Sequence, residues 1–123
     1  MLKYYKDVSR IAIETGVFQA IADPTRRQIL AQLCHRDEQT PTQIAAPLTM
    51  TLSAVSQHLK ILREAGLVSV RRAGRERWYR LEAHPLREVS EWARTYERFW
   101  NEKMDALSDY LDNEAKSEGE TDE

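Results

Sequence analysis

The chain has 123 residues, of which 41% are hydrophobic and 31% charged, with a formal net charge of -2 and one cysteine. This length suits one compact domain with a modest core and leaves little room for a large catalytic cleft. A single cysteine excludes an intrachain disulfide and any multi-cysteine metal cluster built from one chain.

No run of about 18 uninterrupted apolar residues is present, as a membrane span would need. The N-terminal MLKYYKDVSRIAIETG places Lys3, Lys6 and Asp7 where a secretory signal would be apolar. A cytoplasmic protein with no membrane partner is expected. The net charge conceals a division along the chain: residues 112–123 hold six acids against Lys116, which leaves 17 basic and 14 acidic residues in 1–111. Residues 51–80 alone carry seven basic groups and two acids. Residues 112–123 offer almost nothing to bury and read as an acidic disordered tail behind one domain over 1–111.

In chain order, Val8, Ile11, Ala12, Phe18 and Ile21 recur at roughly helical spacing and predict a first helix, with Gly16 an irregularity within it. ADPTRRQILAQL sets Asp23 as N-cap and Pro24 at the first helical position, followed by Ile29, Leu30 and Leu33, so a second helix starts sharply and ends near CHRDEQ. TPTQIAA repeats the device with Thr40 and Pro41, and Pro47 limits this helix to about two turns. Thr51 caps a helix over about 52–65, whose Val55, Leu59 and Leu62 lie within about 60° of one another and face the core. The opposite side gathers Ser53, Gln57, Lys60 and Glu64, with Ser56 at its margin, and Gly66 suits the residue after the helix. Val68 and Val70 alternate with polar residues, Ala73-Gly74 marks a turn, and Tyr79 and Leu81 resume the alternation, which predicts a two-stranded hairpin.

A short helix, a turn over PLTM, a longer helix and a hairpin make a helix-turn-helix with an appended wing, a mainly α fold with a small antiparallel β element. Arg71, Arg72, Arg75, Arg77 and Arg80 crowd the hairpin. Arginines this dense repel one another unless anions are near, and a hairpin projecting beside a helix in the major groove reaches DNA phosphates or the minor groove. Double-stranded DNA is the expected partner. The competing reading is a winged-helix module gripping an acidic protein with the same arginines. An enzyme is not expected: glycines occur only at 16, 66, 74 and 119, so there is no glycine-rich phosphate loop, and no Ser-His-Asp or metal-hydrolase spacing appears.

From Leu86 to Leu111 the residues Leu86, Val89, Ala93, Tyr96, Trp100, Met104, Leu107 and Leu111 keep a three-or-four spacing, predicting one helix of 26 residues, widened in its apolar stripe by Trp92 and Phe99. A core this small does not cover such a stripe, so a homodimer formed by this helix is expected, with Tyr4, Tyr5, Val8 and Ile11 of the first helix contributing. The aromatics Trp92, Tyr96, Phe99 and Trp100 also admit a ligand-pocket reading. Cys34, with His35 and Asp37 nearby, reads either as a small residue closing the second helix or as a redox-responsive thiol. His58 falls on the shoulder of the buried helix face and reads as a structural hydrogen-bonder, and His84 before Pro85 belongs to a turn.

Through ADPTRRQIL, SAVSQHLKILREAGLV and RRAGRERWYRL, in that order, the chain resembles the ArsR family of bacterial winged helix-turn-helix repressors over roughly residues 17–100. The resemblance implies a homodimer that represses an operon, often its own, and reads DNA with the second helix of the motif. Metal-sensing members carry a Cys-x-Cys pair entering the short helix, or Asp, His, His and Glu on the last helix. The first pair of positions falls here on Thr40 and Thr42, and the second set on Ala83, Pro85, Tyr96 and Phe99, none of them a usual ligand for a soft metal or zinc. This departure from the family's ligand pattern points to a branch that senses no metal, with no cofactor and an unspecified inducer. Thr51, Ser53, Ser56 and Gln57 are the candidates for reading bases or fixing phosphates. Lys60 and Arg63 are assigned to phosphates, and Arg72, Arg75 and Arg77, within the wing at 71–77, to the backbone or minor groove of an inverted-repeat operator.

Overall fold

The computed structural model describes residues 16–121. Tyr4, Tyr5, Val8 and Ile11, assigned above to the first helix and to an interface, lie outside the described residues. The elements are α1 (Val17–Ile21), α2 (Pro24–His35), α3 (Pro41–Ala45), α4 (Leu52–Glu64), β1 (Val68–Ala73), β2 (Glu76–Leu81), α5 (Leu86–Arg94) and α6 (Glu97–Thr121). The two strands pair antiparallel, with Val68 opposite Leu81 and Val70 opposite Tyr79. The described residues fall into two units, one ending at Val89 and the other beginning at Ser90.

Three helices of the first unit begin on a side-chain oxygen that accepts from backbone N–H groups left without helical partners. Asp23 accepts from the N–H of Thr25 at 2.7 Å and of Arg26 at 3.2 Å. Thr51 accepts from Ala54 at 3.1 Å. Thr40 accepts from Gln43 at 3.3 Å, and the Gln43 side chain accepts in return from the Thr40 N–H at 3.0 Å. This reciprocal box, with the burial of Ile44 in the core, stabilises a helix of only five residues. Thr40→Ala should therefore lower unfolding stability by about 1 kcal/mol, read from urea titration, with Thr40→Ser retaining most of it. Desolvation raises the pKa of the Asp23 carboxyl, but the Arg26 and Thr25 N–H groups and the positive charge of Arg26 outweigh it and hold it below the usual carboxylate range. A carboxyl depressed in the folded state stabilises above its unfolded pKa, so this contribution is present at neutral pH and is lost as acid protonates it.

The end of α4 is equally explicit. Leu67 N–H donates to the Leu62 carbonyl at 2.9 Å and Gly66 N–H to Arg63 at 3.0 Å, while Gly66 takes φ of 77°. These two bonds with a left-handed glycine form a Schellman motif, and its accompanying apolar contact falls to Leu62 and Leu67, both fully buried. The core gathers Val17, Ile29, Leu33, Ile44, Val55, Leu59, Leu62, Val68 and Tyr79, drawn from α1 through β2. Leu86 and Val89 pack against it. Gln39 exchanges both backbone bonds with Tyr79, at 3.0 and 2.8 Å, and so adds a one-residue antiparallel bridge to β2 on the edge away from β1.

The C-terminal region differs from expectation in two ways. The single helix expected from Leu86 to Leu111 is interrupted: Thr95 N–H bonds to Trp92 and Tyr96 N–H to Ala93, three residues back instead of four. That tighter winding separates α5 from α6, although the apolar spacing runs on through it. Residues 112–121, expected as a disordered tail, continue α6 instead. Asn113, Glu114, Ala115 and Lys116 contain no helix breaker, and Tyr110 donates its hydroxyl to Glu114 at 2.9 Å across one turn.

Candidate nucleic-acid interface

The buried side of α4 is fixed by Val55, Leu59 and Leu62, each fully buried, which leaves Thr51, Ser53, Ser56, Gln57, Lys60 and Glu64 exposed on the other side. The oxygen of Thr51 is engaged in its cap, but its hydroxyl proton remains free to donate outward. Arg63, assigned to phosphate, is half-buried on the shoulder of the helix and makes interactions within the chain.

A second anchor holds α4 from its flank. Arg26 donates from Nε to the Ala20 carbonyl at 2.6 Å and from Nη2 to the Gln19 carbonyl at 3.1 Å. Its Nη1 lies 3.3 Å from Nδ1 of His58. Guanidinium has only donors, so this contact requires Nδ1 to offer its lone pair. One side chain at the start of α2 thus ties the end of α1 to the middle of α4. Sequence reading identified the structural role of His58 but missed Arg26, because 32 residues separate the two.

The five hairpin arginines divide into two groups. Arg71 makes a two-pronged contact with Glu38, at 2.6 and 3.2 Å, and its guanidinium lies 5.8 Å from the centre of the Trp78 ring. Arg80 lies 3.2 Å from Glu82, which also accepts from the buried Ser69 hydroxyl at 2.7 Å. These two brace the base of the wing. Arg72, Arg75 and Arg77 are exposed at its tip and make no ion pair among the described residues. Strand register sets Arg72 directly opposite Arg77. Like charges so paired destabilise a hairpin, and an anion between them removes the penalty. Gly74 and Arg75 form the connection; Gly74 alone has positive φ, at 64°, as the first position of a two-residue type II′ turn demands.

Between the wing and the helices runs an open cleft lined by Thr40, Pro41, Thr42, Gln43, Leu52, Arg75, Glu76 and Arg77. Thr42, Gln43 and Leu52 were not among the residues expected to meet DNA, since only folding brings them beside the wing. Cys34 is exposed, and among the described residues no group of three or more His, Cys, Asp or Glu side chains is gathered for a metal ion. No helix of the described residues is long and apolar enough to cross a membrane.

In the second unit, Trp92, Tyr96, Phe99, Trp100, Met104 and Leu107 are exposed, as are Tyr110 and Leu111. Trp92 and Tyr96 meet edge to face, with ring centres 5.5 Å apart. Val89, also expected at an interface, is half-buried and packs against the core of its own chain.

Comparison with known proteins agrees with this geometry. The arsR family of bacterial regulatory proteins matches residues 23–70, from the cap of α2 into β1. The chain is 38% identical over 98 residues to the HTH-type transcriptional regulator Rv2034 of Mycobacterium tuberculosis, covering 79% of this chain and 87% of that one. It is 37% identical over 77 residues to the transcriptional repressor SdpR of Bacillus subtilis, covering 63% and 84%. Among solved structures, the ArsR family transcriptional regulator RHA00566 superposes with a TM-score of 0.63 at 32% identity, covering 72% of this chain and 97% of that one. A polar helix face beside a basic wing, on this scaffold and with these relatives, makes the chain a DNA-binding winged helix-turn-helix transcriptional regulator of the ArsR family.

Proposed function

We propose that the chain is a homodimeric repressor of its own or a neighbouring operon, reading an inverted-repeat operator with α4 in successive major grooves and with the wing on the flanking backbone or minor groove. The observation that carries this reading is the sorting of the hairpin arginines. Carboxylates brace Arg71 and Arg80, while Arg72, Arg75 and Arg77 present concentrated positive charge at the wing tip, Arg75 and Arg77 lining one cleft with Leu52 at the start of α4, the helix that exposes Ser53, Ser56 and Gln57. Phosphate contacts position a protein on the duplex and base-edge contacts specify the site, and the two groups of side chains divide the work in that way.

The apolar stripe of α6 supports a two-fold assembly, since an exposed row of Trp100, Met104, Leu107 and Leu111 is larger than a lone chain ordinarily leaves to water. A non-metal signal is supported by the chemistry at the family's ligand positions. Thr40 spends its oxygen on the α3 cap, and Ala83, Pro85, Tyr96 and Phe99 offer no imidazole or carboxylate.

A gel-shift assay on the region upstream of the protein's own gene tests the proposal. Binding should weaken steeply as salt rises, and no shift with any genomic fragment would favour an acidic protein partner instead. Gln57→Ala should lose about 1 to 3 kcal/mol of discrimination at a single operator position, the range for a two-pronged amide contact to adenine, while affinity for unrelated DNA stays unchanged. A uniform loss across all sequences would make Gln57 a phosphate contact.

A further inference from the structure

Leu52 departs from the chain's own pattern. With Val55, Leu59 and Leu62 it completes an apolar series at helical spacing. Those three are fully buried, yet Leu52 is 50% exposed. It occupies the first position of α4 and lines the cleft whose other walls include Thr42, Gln43, Arg75 and Arg77. Ser56 lies one turn further along the same side of the helix. A scattered exposed leucine needs no explanation on a protein surface. This one opens the helix proposed to face DNA and sits in a cleft walled by Arg75, Arg77, Thr40 and Thr42, with Glu76 between the two arginines, so an occupant anionic at its rim and apolar where it meets Leu52 suits it.

A duplex seen from its major groove has that make-up. Phosphates line the rim, and the C5-methyl of thymine is the one apolar substituent on a base edge. The first residues of a recognition helix are also those that reach base edges. We propose that Leu52 is a specificity-determining residue that packs against a thymine methyl in each operator half-site. The contact selects thymine over cytosine through shape and desolvation and makes no hydrogen bond, complementing the amide and hydroxyl groups of Gln57, Ser53 and Ser56. This inference rests on the DNA-reading role proposed above.

The test uses the full chain and an operator fragment recovered by genome-wide capture, in which single thymines are replaced by deoxyuridine. That exchange removes one methyl group and leaves base pairing intact. At one position the parent protein should bind about fourfold more weakly, and about fifteenfold when both half-sites are changed, as expected for burying one methyl group per half-site. Leu52→Ala should bind thymine and deoxyuridine forms alike, and Leu52→Met should retain a preference for thymine; circular dichroism checks that both variants are folded. Indifference of the parent to every such exchange, with binding still weakened by Arg75→Ala, would overturn the Leu52 contact and leave DNA reading intact. The same result follows if Leu52→Ala keeps the parent's sensitivity. Absence of any shift on genomic DNA would overturn the DNA reading and the Leu52 contact together.

Discussion

Replacing Arg72, Arg75 and Arg77 together with alanine is expected to flatten the salt dependence of DNA binding more than any other change in the first unit. Each phosphate neutralised contributes about 0.9 to the slope of log affinity against log salt, so the triple variant should lose about 2.7 per chain and about 5 for a dimer. Affinity near physiological salt should fall by about 100-fold or more, and equally for operator and unrelated DNA, since phosphates carry no sequence. The bracing arginines supply the control. Arg71 is held by Glu38 and Arg80 by Glu82, so Arg71→Ala and Arg80→Ala should lower thermal stability while leaving the slope close to that of the parent. Equal slopes for the triple variant and the parent would remove the wing from the interface. The hairpin itself should gain stability in the triple variant without DNA, because the Arg72 and Arg77 charges stand opposite each other.

The second large effect is expected on the exposed face of α6. At about 100° per residue, Trp100, Met104, Leu107 and Leu111 fall within about 60° of one another, whereas Asp109 lies about 180° from Trp100. The parent should sediment at twice the 14.3 kDa chain mass at micromolar concentration. Trp100→Glu combined with Leu107→Glu should give a folded monomer, because burying a carboxylate without a partner costs several kcal/mol on top of the forfeited apolar packing. Specific DNA affinity should then fall by about 1,000-fold or more, as one half-site is left to bind alone. Asp109→Asn, on the opposite side of the helix, should change neither mass nor affinity. A parent protein that sediments as a single chain would end the dimer reading while leaving the tip arginines' slope prediction standing.

Local chemistry made much of the fold legible. Asp23-Pro24, Thr40-Pro41 and Thr51 announce helix starts because a capping oxygen and a ring with fixed φ act on immediate neighbours. Gly66 and Gly74 announce an end and a turn because only glycine enters left-handed geometry without strain. The buried series Val55, Leu59, Leu62 follows from periodicity alone. Periodicity misled at Thr95 and Tyr96, where the apolar spacing continues but the hydrogen bonding tightens. After Asp112 the scarcity of side chains to bury reads as a disordered tail, and there the described residues continue α6 to Thr121.

The interface was legible to a different degree. The positions of Ser53, Gln57 and Lys60 on an exposed helix side follow from spacing, but which hairpin arginines are occupied does not. The Arg71 partner, Glu38, lies 33 residues earlier in the chain, and a pairing at that distance leaves no periodic trace. The half-burial of Arg63 and the pull of Val89 into the core are of the same kind, settled by tertiary neighbours that spacing cannot name.

The two-residue tip at Gly74-Arg75 constrains how relatives of this protein can diverge. Adding a single residue to either strand would turn every later side chain of that strand to the opposite face, sending Val70 or Tyr79 into water and an arginine inward. Longer or shorter wings are therefore accessible only by changes that preserve the alternation in both strands at once. Evolution of reach along the duplex should proceed in paired steps, while substitutions at Arg72, Arg75 and Arg77 adjust grip one position at a time.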